Sequence, residues 1–450
     1  GTYSFTSVAA GSYYVRVVSG SVSSSRYVSG TVPVGVMTYR TTATSGSVVA
    51  VTDVVCGTNP ASSDPGAAAT GAAFSTSSFV YSAGLSGTAH AVAPVTLGAS
   101  HITGVDFGFN FDTVINTNNS GQGSLRQAMD NANTLTGDAS LAQSGRTPAM
   151  EHLVFMIPNG TTGGGGSLGL ADGGLRASLN AFTSGIAVMA PASALPQVYT
   201  SVVIDARTQP GWTGSPIVEL NGAGAGSGTN GLNILGVSGQ SPTGFKVTVA
   251  GFVINRFSGN GIYYGWTSAN GKVAGNYIGT NSAGTAASAN GGAGVYIHGW
   301  VAGPTTIGGT VSADRNLISG NGTQGIYADK DSIVQGNLIG TNAAGTLAVP
   351  NVSHGLTIRA GTHVIGGSSA SARNLISGNG GQGINVETSS TSVVISGNYI
   401  GTNITGSAAL GNTGNGVQTA FSSGVTVGGS TPGSGNLISG NGTGGVRFNN

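Results

Sequence analysis

A repeat of two alternating coils constrains this chain more than any other feature. The segments Asn276-Tyr-Ile-Gly-Thr-Asn281, Asn337-Leu-Ile-Gly-Thr-Asn342 and Asn398-Tyr-Ile-Gly-Thr-Asn403 recur every 61 residues. Between them falls Asn-Leu-Ile-Ser-Gly-Asn-Gly at Asn316, Asn374 and Asn436, with a degenerate copy at Asn255. That period is too long for one solenoid turn, so the half-period is the structural unit. A glycine followed by an apolar residue opens a unit at Gly231, Gly261, Gly294, Gly325, Gly355, Gly383, Gly416 and Gly445, at intervals of 28 to 33 residues. Each unit carries three short apolar pieces. One follows the glycine, one holds Val273, Ile307, Val334, Ile365, Ile395 or Val427, and one holds Ile278, Ile318, Ile339, Ile376, Ile400 or Ile438. Three columns with one Val, Ile or Leu per coil are what a parallel β-helix requires, because coils about 4.8 Å apart place like residue on like. A β-propeller is set aside, since its blades need about 40–45 residues and four strands.

The recurring asparagines, Asn255, Asn276, Asn316, Asn337, Asn374, Asn398 and Asn436, fit turns between strands, where stacked amides bond to one another as a ladder. Glycine supplies 81 of the 450 residues, as coils with three tight corners demand. Charged residues make up 6%, which excludes coiled coils and helical bundles with charged outer faces. A net charge of +1 with lysine only at 246, 272 and 330 argues against a nucleic-acid binder. Cys56 is the single cysteine, and the six histidines lack the spacing of a helical metal site, so neither disulfide, metal nor cofactor is expected. No apolar run of about 18 residues is present to cross a membrane as a helix.

Upstream of the coils the pattern changes. Ser124-Leu-Arg-Gln127 reads as a capping box, and Leu125, Ala128, Met129 and Ala132 share a stripe, which predicts one short helix covering the open end of the solenoid core. Residues 1–111 alternate in short runs such as Tyr13–Val18 and Val105–Phe111, which predicts a β-sandwich. The expected organisation is a sandwich over 1–111, linker and capping helix over 112–150, irregular first coils over 151–230 and regular coils over 231–450.

Ser124-Leu-Arg-Gln-Ala-Met-Asp-Asn-Ala-Asn133, Phe155-Met-Ile-Pro158, Ile204-Asp-Ala-Arg-Thr-Gln-Pro-Gly211 and the coil motifs together resemble bacterial right-handed parallel β-helix surface proteins with an N-terminal motif of C-S-L-R-E-A type. Gly123 and Gln127 stand at that motif's cysteine and acidic positions. Gly1-Thr-Tyr-Ser-Phe5, Gly11-Ser-Tyr-Tyr-Val15 and Asp106-Phe-Gly-Phe109 are similar to the second half of the B-type repeats of Gram-positive serine–aspartate adhesins. Those are prealbumin-like sandwiches that commonly bind calcium, but carboxylates here are sparse, at Asp53, Asp64 and Asp106. The resemblance implies an all-β, right-handed parallel β-helix with an N-terminal sandwich, in a secreted or surface-displayed chain of structural or adhesive role.

Many parallel β-helices cleave polysaccharides, which takes two carboxylates roughly 5–9.5 Å apart, or a base with a neutralising cation. The fourth residue after successive opening glycines gives His298, Asp329, Arg359 and Glu387, expected to point outward. That column reads either as an acid–base pair around an arginine or as a surface charge ladder, and the second is preferred because nothing nearby builds a pocket. The second residue after the glycine gives Tyr263, Tyr296 and Tyr327, with Trp266 and Trp300 a few residues on. These aromatics read as a platform for sugar rings or as cross-strand packing. Sequons at Asn159, Asn321 and Asn403 are of the frequency such a composition produces.

The chain is therefore expected to be a non-catalytic, extracellular structural protein: an adhesin, or a filament or matrix subunit. The alternative is a carbohydrate-binding or carbohydrate-cleaving β-helix using Tyr263, Tyr296, Tyr327, Trp300, His298, Asp329 and Glu387. No nucleic acid and no membrane is expected as partner. Because the eighth coil, opening at Gly445-Val446, carries no cap before Asn450, head-to-tail self-association or a longer natural chain is expected.

Overall fold

Where one coil climbs onto the next, the opening glycines have no room for a side chain. A Cβ on Gly325 would lie 2.7 Å from the carbonyl oxygen of Gly355, one on Gly355 would lie 2.6 Å from that of Gly383, and one on Gly383 would lie 2.6 Å from that of Gly416. Glycine is forced at this corner by the coil above it. A computed structural model describes residues 2–17, 22–45, 47–49, 91–135, 137, 146–160, 180–236, 246–265, 271–301, 303–387, 390–420 and 424–449. Cys56, Asp53, Asp64 and Trp266 lie outside the described residues. The chain divides into two units, Gly1–Leu135 with Val154–Phe182 and Thr208–Pro210, and Thr136–Leu153 with Thr183–Arg207 and Gly211–Asn450.

The second unit is a parallel β-helix. Its first sheet has eight parallel strands, Leu232–Ile234, Ile262–Tyr264, Val295–Ile297, Ile326–Ala328, Leu356–Ile358, Ile384–Val386, Asn415–Ala420 and Gly444–Asn449. A second parallel sheet runs through Val247–Ala250, Lys272–Ala274, Thr305–Gly308, Ser332–Gln335, Gly361–Gly366, Ser390–Ser396 and Val425–Val427. A third runs through Val218–Asn221, Phe252–Asn255, Tyr277–Ile278, Leu317–Ile318, Leu338–Ile339, Leu375–Ile376, Tyr399–Ile400 and Leu437–Ile438. The three expected apolar columns form the interior. Ile262, Val295, Ile326, Ile384, Val273, Ile307, Val334, Ile365, Ile278, Ile318, Ile339 and Ile376 are all fully buried. Ile339 and Ile376 are paired neighbours in one column. Each such side chain contributes about 1.5–3 kcal/mol before chain entropy is subtracted.

Two asparagine ladders hold the corners. In the first, the Nδ2 of Asn276, Asn316, Asn337, Asn374 and Asn398 each donates to the Oδ1 of the next rung, at 3.1, 2.9, 3.0, 2.9 and 3.1 Å, ending at Asn436. The same nitrogens also donate to the carbonyls of Val249, Val273, Ile307, Val334 and Ile365. Each rung's backbone N–H donates to the next Oδ1 as well, as Asn337 does to Asn374 at 3.0 Å. Asn255 is not a rung, which corrects the sequence expectation. Ile254 registers with Ile278, and Ile278 with Ile318, so Asn255 falls one residue past the core column where Asn316 falls two before it. Phe252 holds the rung position instead, its N–H donating to Asn276 Oδ1 at 3.0 Å. Asn255 binds the Thr280 carbonyl and Glu219. Its neighbour Arg256 takes a left-handed φ of 58°, secured by an ion pair to Glu219 at 3.1 Å.

A second ladder escaped the sequence reading. Asn290, Asn321, Asn351, Asn379, Asn412 and Asn441 connect Nδ2 to Oδ1 at 3.1, 2.9, 2.9, 2.8 and 2.9 Å. Its signal was present: every rung lies four residues before an opening glycine.

The outer face of the third sheet is apolar and covered. Leu317, Leu338 and Leu375 cluster with Tyr277, Tyr399, Ala343 and Ile404. Ala343 and Ile404 belong to loops after the Ile-Gly-Thr-Asn motifs, and these loops bond to one another, Ala343 N–H to the Gly284 carbonyl at 2.8 Å and Ile404 N–H to the Gly345 carbonyl at 2.9 Å. The outer face of the first sheet carries aromatic and charged side chains instead.

In the first unit, Gly11–Arg16, Val92–Leu97, Thr42–Thr44 and Ser47–Val49 form one small sheet, and Val36–Arg40 pairs antiparallel with Phe107–Asn110. The expected helix spans Leu125–Leu135 and buries Leu125, Ala128, Met129 and Ala132. Ser124 Oγ accepts from the Gln127 N–H at 3.2 Å, but the Gln127 side chain turns forward to Asn131, so only half of the capping box forms. Asn131 binds both the N–H and the carbonyl of Val34, at 3.0 and 2.8 Å.

Asn337→Ala would take away the acceptor of one Asn316 Nδ2 hydrogen and the side-chain donor to the Ile307 carbonyl in a sealed interior, at about 1–3 kcal/mol for each orphaned group. The urea midpoint is expected to fall clearly for Asn337→Ala and much less for Asn436→Ala, whose rung is only half-buried.

Candidate functional site

Alternation places the residue between two core positions of each first-sheet strand on the outer face. Tyr263, Tyr296 and Tyr327 occupy that position in three consecutive coils, in direct register. Their rings stack on one another, with centroids 5.3 Å apart at 32° for Tyr263–Tyr296 and 4.7 Å apart at 12° for Tyr296–Tyr327. Stacking along the axis turns ring faces toward neighbouring rings. What the row presents outward is ring edges and phenolic hydroxyls rather than a flat platform. Partial burial raises the Tyr263 pKa, and burial together with the charges of Tyr327 and Asp329 pushes Tyr296 up to about 12. These phenols remain protonated hydrogen-bond donors across the neutral range.

The flanking column arrives beside the stack. His298 lies 6.3 Å from both Tyr263 and Tyr296, and Trp300 meets its ring edge-on at 5.8 Å. Trp300 is 59% exposed. Arg359 donates from Nη1 to the Tyr327 hydroxyl at 3.0 Å, while its Nε pairs with Glu387 Oε2 at 3.2 Å. Asn385 Nδ2 reaches the other oxygen of Glu387 at 3.3 Å. Asp329 sits against the backbone of the coil below, where a Cβ on Gly299 would come within 3.1 Å of its Oδ2. The structure thus gathers Tyr263, Tyr296, Tyr327, His298 and Trp300 into one cluster and joins Arg359 and Glu387 to its upper end. Both partners of the Arg359–Glu387 pair are well exposed, so it contributes about 0–1 kcal/mol.

Two further polar groupings are legible only in three dimensions. Arg207 grips Asp205 with Nε at 2.9 Å and Nη2 at 2.8 Å, reaches Asp314 with Nη1 at 3.2 Å, and Lys272 binds the same Asp314 at 2.8 Å. Two cations against two carboxylates form a compensated clasp between coils. In the solenoid interior, Ser332 Oγ lies 2.8 Å from His363 Nδ1, and His363 Nε2 lies 2.8 Å from the Ala360 carbonyl. A carbonyl needs a donor, so Nε2 carries the proton and Nδ1 accepts from Ser332. Both side chains are sealed from solvent, so this Ser–His pair has no access to substrate. Of the sequons, Asn321 is a buried rung, whereas Asn403 sits in an exposed loop with Thr405 Oγ1 donating to its Oδ1 at 3.0 Å.

No protein-family model matches the sequence, and no curated protein matches it. Among solved structures, the chain is similar to the A-module of the Azotobacter vinelandii mannuronan C-5 epimerase AlgE6, at 14% identity and a TM-score of 0.27, over 59% of this chain and 85% of that one. The sequence expectation of a non-catalytic chain is corrected by this finding, because the similar structure is a module of an enzyme. At that TM-score the likeness transfers no activity and no site residue.

Burial lowers the pKa of His363, and of His354, from the ordinary value of 6.5. Below 6.5 the unfolded chain therefore binds more protons than the folded one. Stability carried by the neutral rings is fully present above that pH and drains away as pH falls through the depressed folded values. Urea midpoints are expected to drop between pH 7.5 and pH 4.5. His363→Val, which copies its column neighbour Val393, should reduce the drop. Tyr296→Ala is expected to cost about 1 kcal/mol in thermal melts through two lost ring contacts, and Tyr296→Phe little.

Proposed function

We propose that this chain is a carbohydrate-binding parallel β-helix whose working surface is the outer face of the first sheet. The observation that carries the reading is the row of Tyr263, Tyr296 and Tyr327 in consecutive coils, flanked by exposed Trp300 and by Arg359 bridging Tyr327 and Glu387. Phenolic hydroxyls, an indole, a guanidinium and carboxylates on one rigid surface match the donors, acceptors and apolar ring faces of a sugar. The surface is built on strands locked above and below by parallel pairing, so binding needs little ordering of loops. An extracellular setting, with the chain displayed on or assembled into a bacterial surface layer, is part of the same proposal. It is supported by the Gly-, Ser-, Thr- and Asn-rich composition and by the resemblance of the Ser124–Asn133 segment and the coil motifs to bacterial surface β-helices.

A glycan array probed with the intact chain is expected to give discrete hits. The triple variant Tyr263→Phe, Tyr296→Phe, Tyr327→Phe keeps the stack and removes only hydroxyls, so it should lose about tenfold in affinity or more while melting normally. Trp300→Ala should weaken the same hits. An array without hits, or hits indifferent to all four substitutions, refutes the proposal. Incubation of each hit glycan with the wild type and Glu387→Gln tests for chemistry, and turnover abolished by the substitution would place that carboxylate in an acid–base role.

A further inference from the structure

The tyrosines are the middle of a longer row. Parallel register continues it in both directions, from Asn233 through Tyr263, Tyr296, Tyr327, Thr357, Asn385 and Gln418 to Arg447. Seven strand spacings of about 4.8 Å make this a straight track of roughly 34 Å. We infer that the ligand of this face is a linear, uncharged polysaccharide lying along the solenoid axis and contacting several coils at once; the inference rests on the carbohydrate-binding proposal above.

Three observations carry it. First, every member of the row from Asn233 to Gln418 is uncharged, and all carry a hydroxyl or a carboxamide. Such groups both donate and accept, as sugar hydroxyls do. The matching outer column of the third sheet, with Leu317, Leu338 and Leu375, is instead apolar and covered by loops. Second, the charges beside the row disfavour an acidic polymer. Beside the stretch from Tyr327 to Asn385, Arg359 is held by Glu387 and Asp329 adds a further carboxylate, so a chain of uronates or sulfated sugars would meet an excess negative charge there, the cation of Arg447 lying at the far end of the row. Third, Thr357 stands at the centre of the row, 1% exposed, with an Oγ1 that no protein group satisfies. A buried hydroxyl without a partner is uncommon in a settled structure; this one is covered by the side chains around it, so a ligand hydroxyl between Tyr327 and Asn385 supplies the partner only by displacing them.

The test is calorimetry on the full chain with β-1,4-linked glucose and mannose oligosaccharides from the disaccharide to the octasaccharide, and with oligogalacturonates and oligomannuronates as acidic counterparts. Affinity for a neutral series should rise about tenfold or more from the shortest to the longest member and change little in high salt. Asn233→Ala and Gln418→Ala, at opposite ends of the row, should each weaken the octasaccharide about threefold or more and leave the trisaccharide unchanged. Thermal melting of both variants checks that the coils remain intact. Affinity that is flat with length, end substitutions without effect on the octasaccharide, or preference for the acidic series would each overturn this inference while leaving carbohydrate binding in place. If neither series binds and the array is also blank, both proposals fall.

Discussion

The structure depends on satisfying backbone groups at the corners of its coils. Along the inner strands, N–H and carbonyl groups pair with the coils above and below, but at a corner the chain turns and that ladder breaks. The asparagine rungs repair the break. Each side-chain amide gives one hydrogen to the next rung and the other to a strand carbonyl, while its oxygen takes a backbone N–H. Because a rung serves three coils at once, the ladders fix the rotation of each coil on its neighbours, and with it the register of all three sheets. The opening glycines are the complementary constraint, since the carbonyl above each of them occupies the space a side chain would need.

Fixed register has different consequences on the two sides of a sheet. Inside, it stacks aliphatic residues into continuous columns, with the sealed Ser332–His363 pair as a polar inclusion. Outside, it aligns whatever residues evolution places there, and each sheet resolves its outer face differently. The third covers an apolar column with stacked loops from alternate coils, which accounts for the 61-residue period: only every second coil needs a long loop, because each loop reaches its equivalent two coils away. The first sheet carries the polar and aromatic row.

That row shows how packing and function compete for the same atoms. Strand spacing brings aligned tyrosines close enough for their faces to meet, so the rings stabilise the sheet and present edges and hydroxyls outward. Burial raises the pKa of Tyr263 and Tyr296 further above the neutral range. The consequence is a surface suited to hydrogen bonding along a polymer, with Trp300 as the exposed large ring beside it.

The sequence by itself determined the regular coils of 231–450, their three core columns and the candidate face, because a solenoid's contacts are between equivalent positions and periodicity therefore encodes proximity. It misled at Asn255, where Asn-Arg-Phe-Ser-Gly-Asn-Gly copies the motif's letters three residues out of structural register, and only strand pairing with Ile278 reveals the shift. It also held the second ladder in plain view, four residues before each opening glycine, but a conserved spacing does not say whether an asparagine is buried or wet. The tertiary structure alone decided how the outer side chains orient: that the tyrosines spend their faces on each other, that Arg359 joins Tyr327 to Glu387, and that Arg207 reaches Asp314 across more than a hundred residues. Periodicity fixes which residues are neighbours, whereas rotamers and partners are chosen by local packing and charge, which depend on every surrounding coil at once.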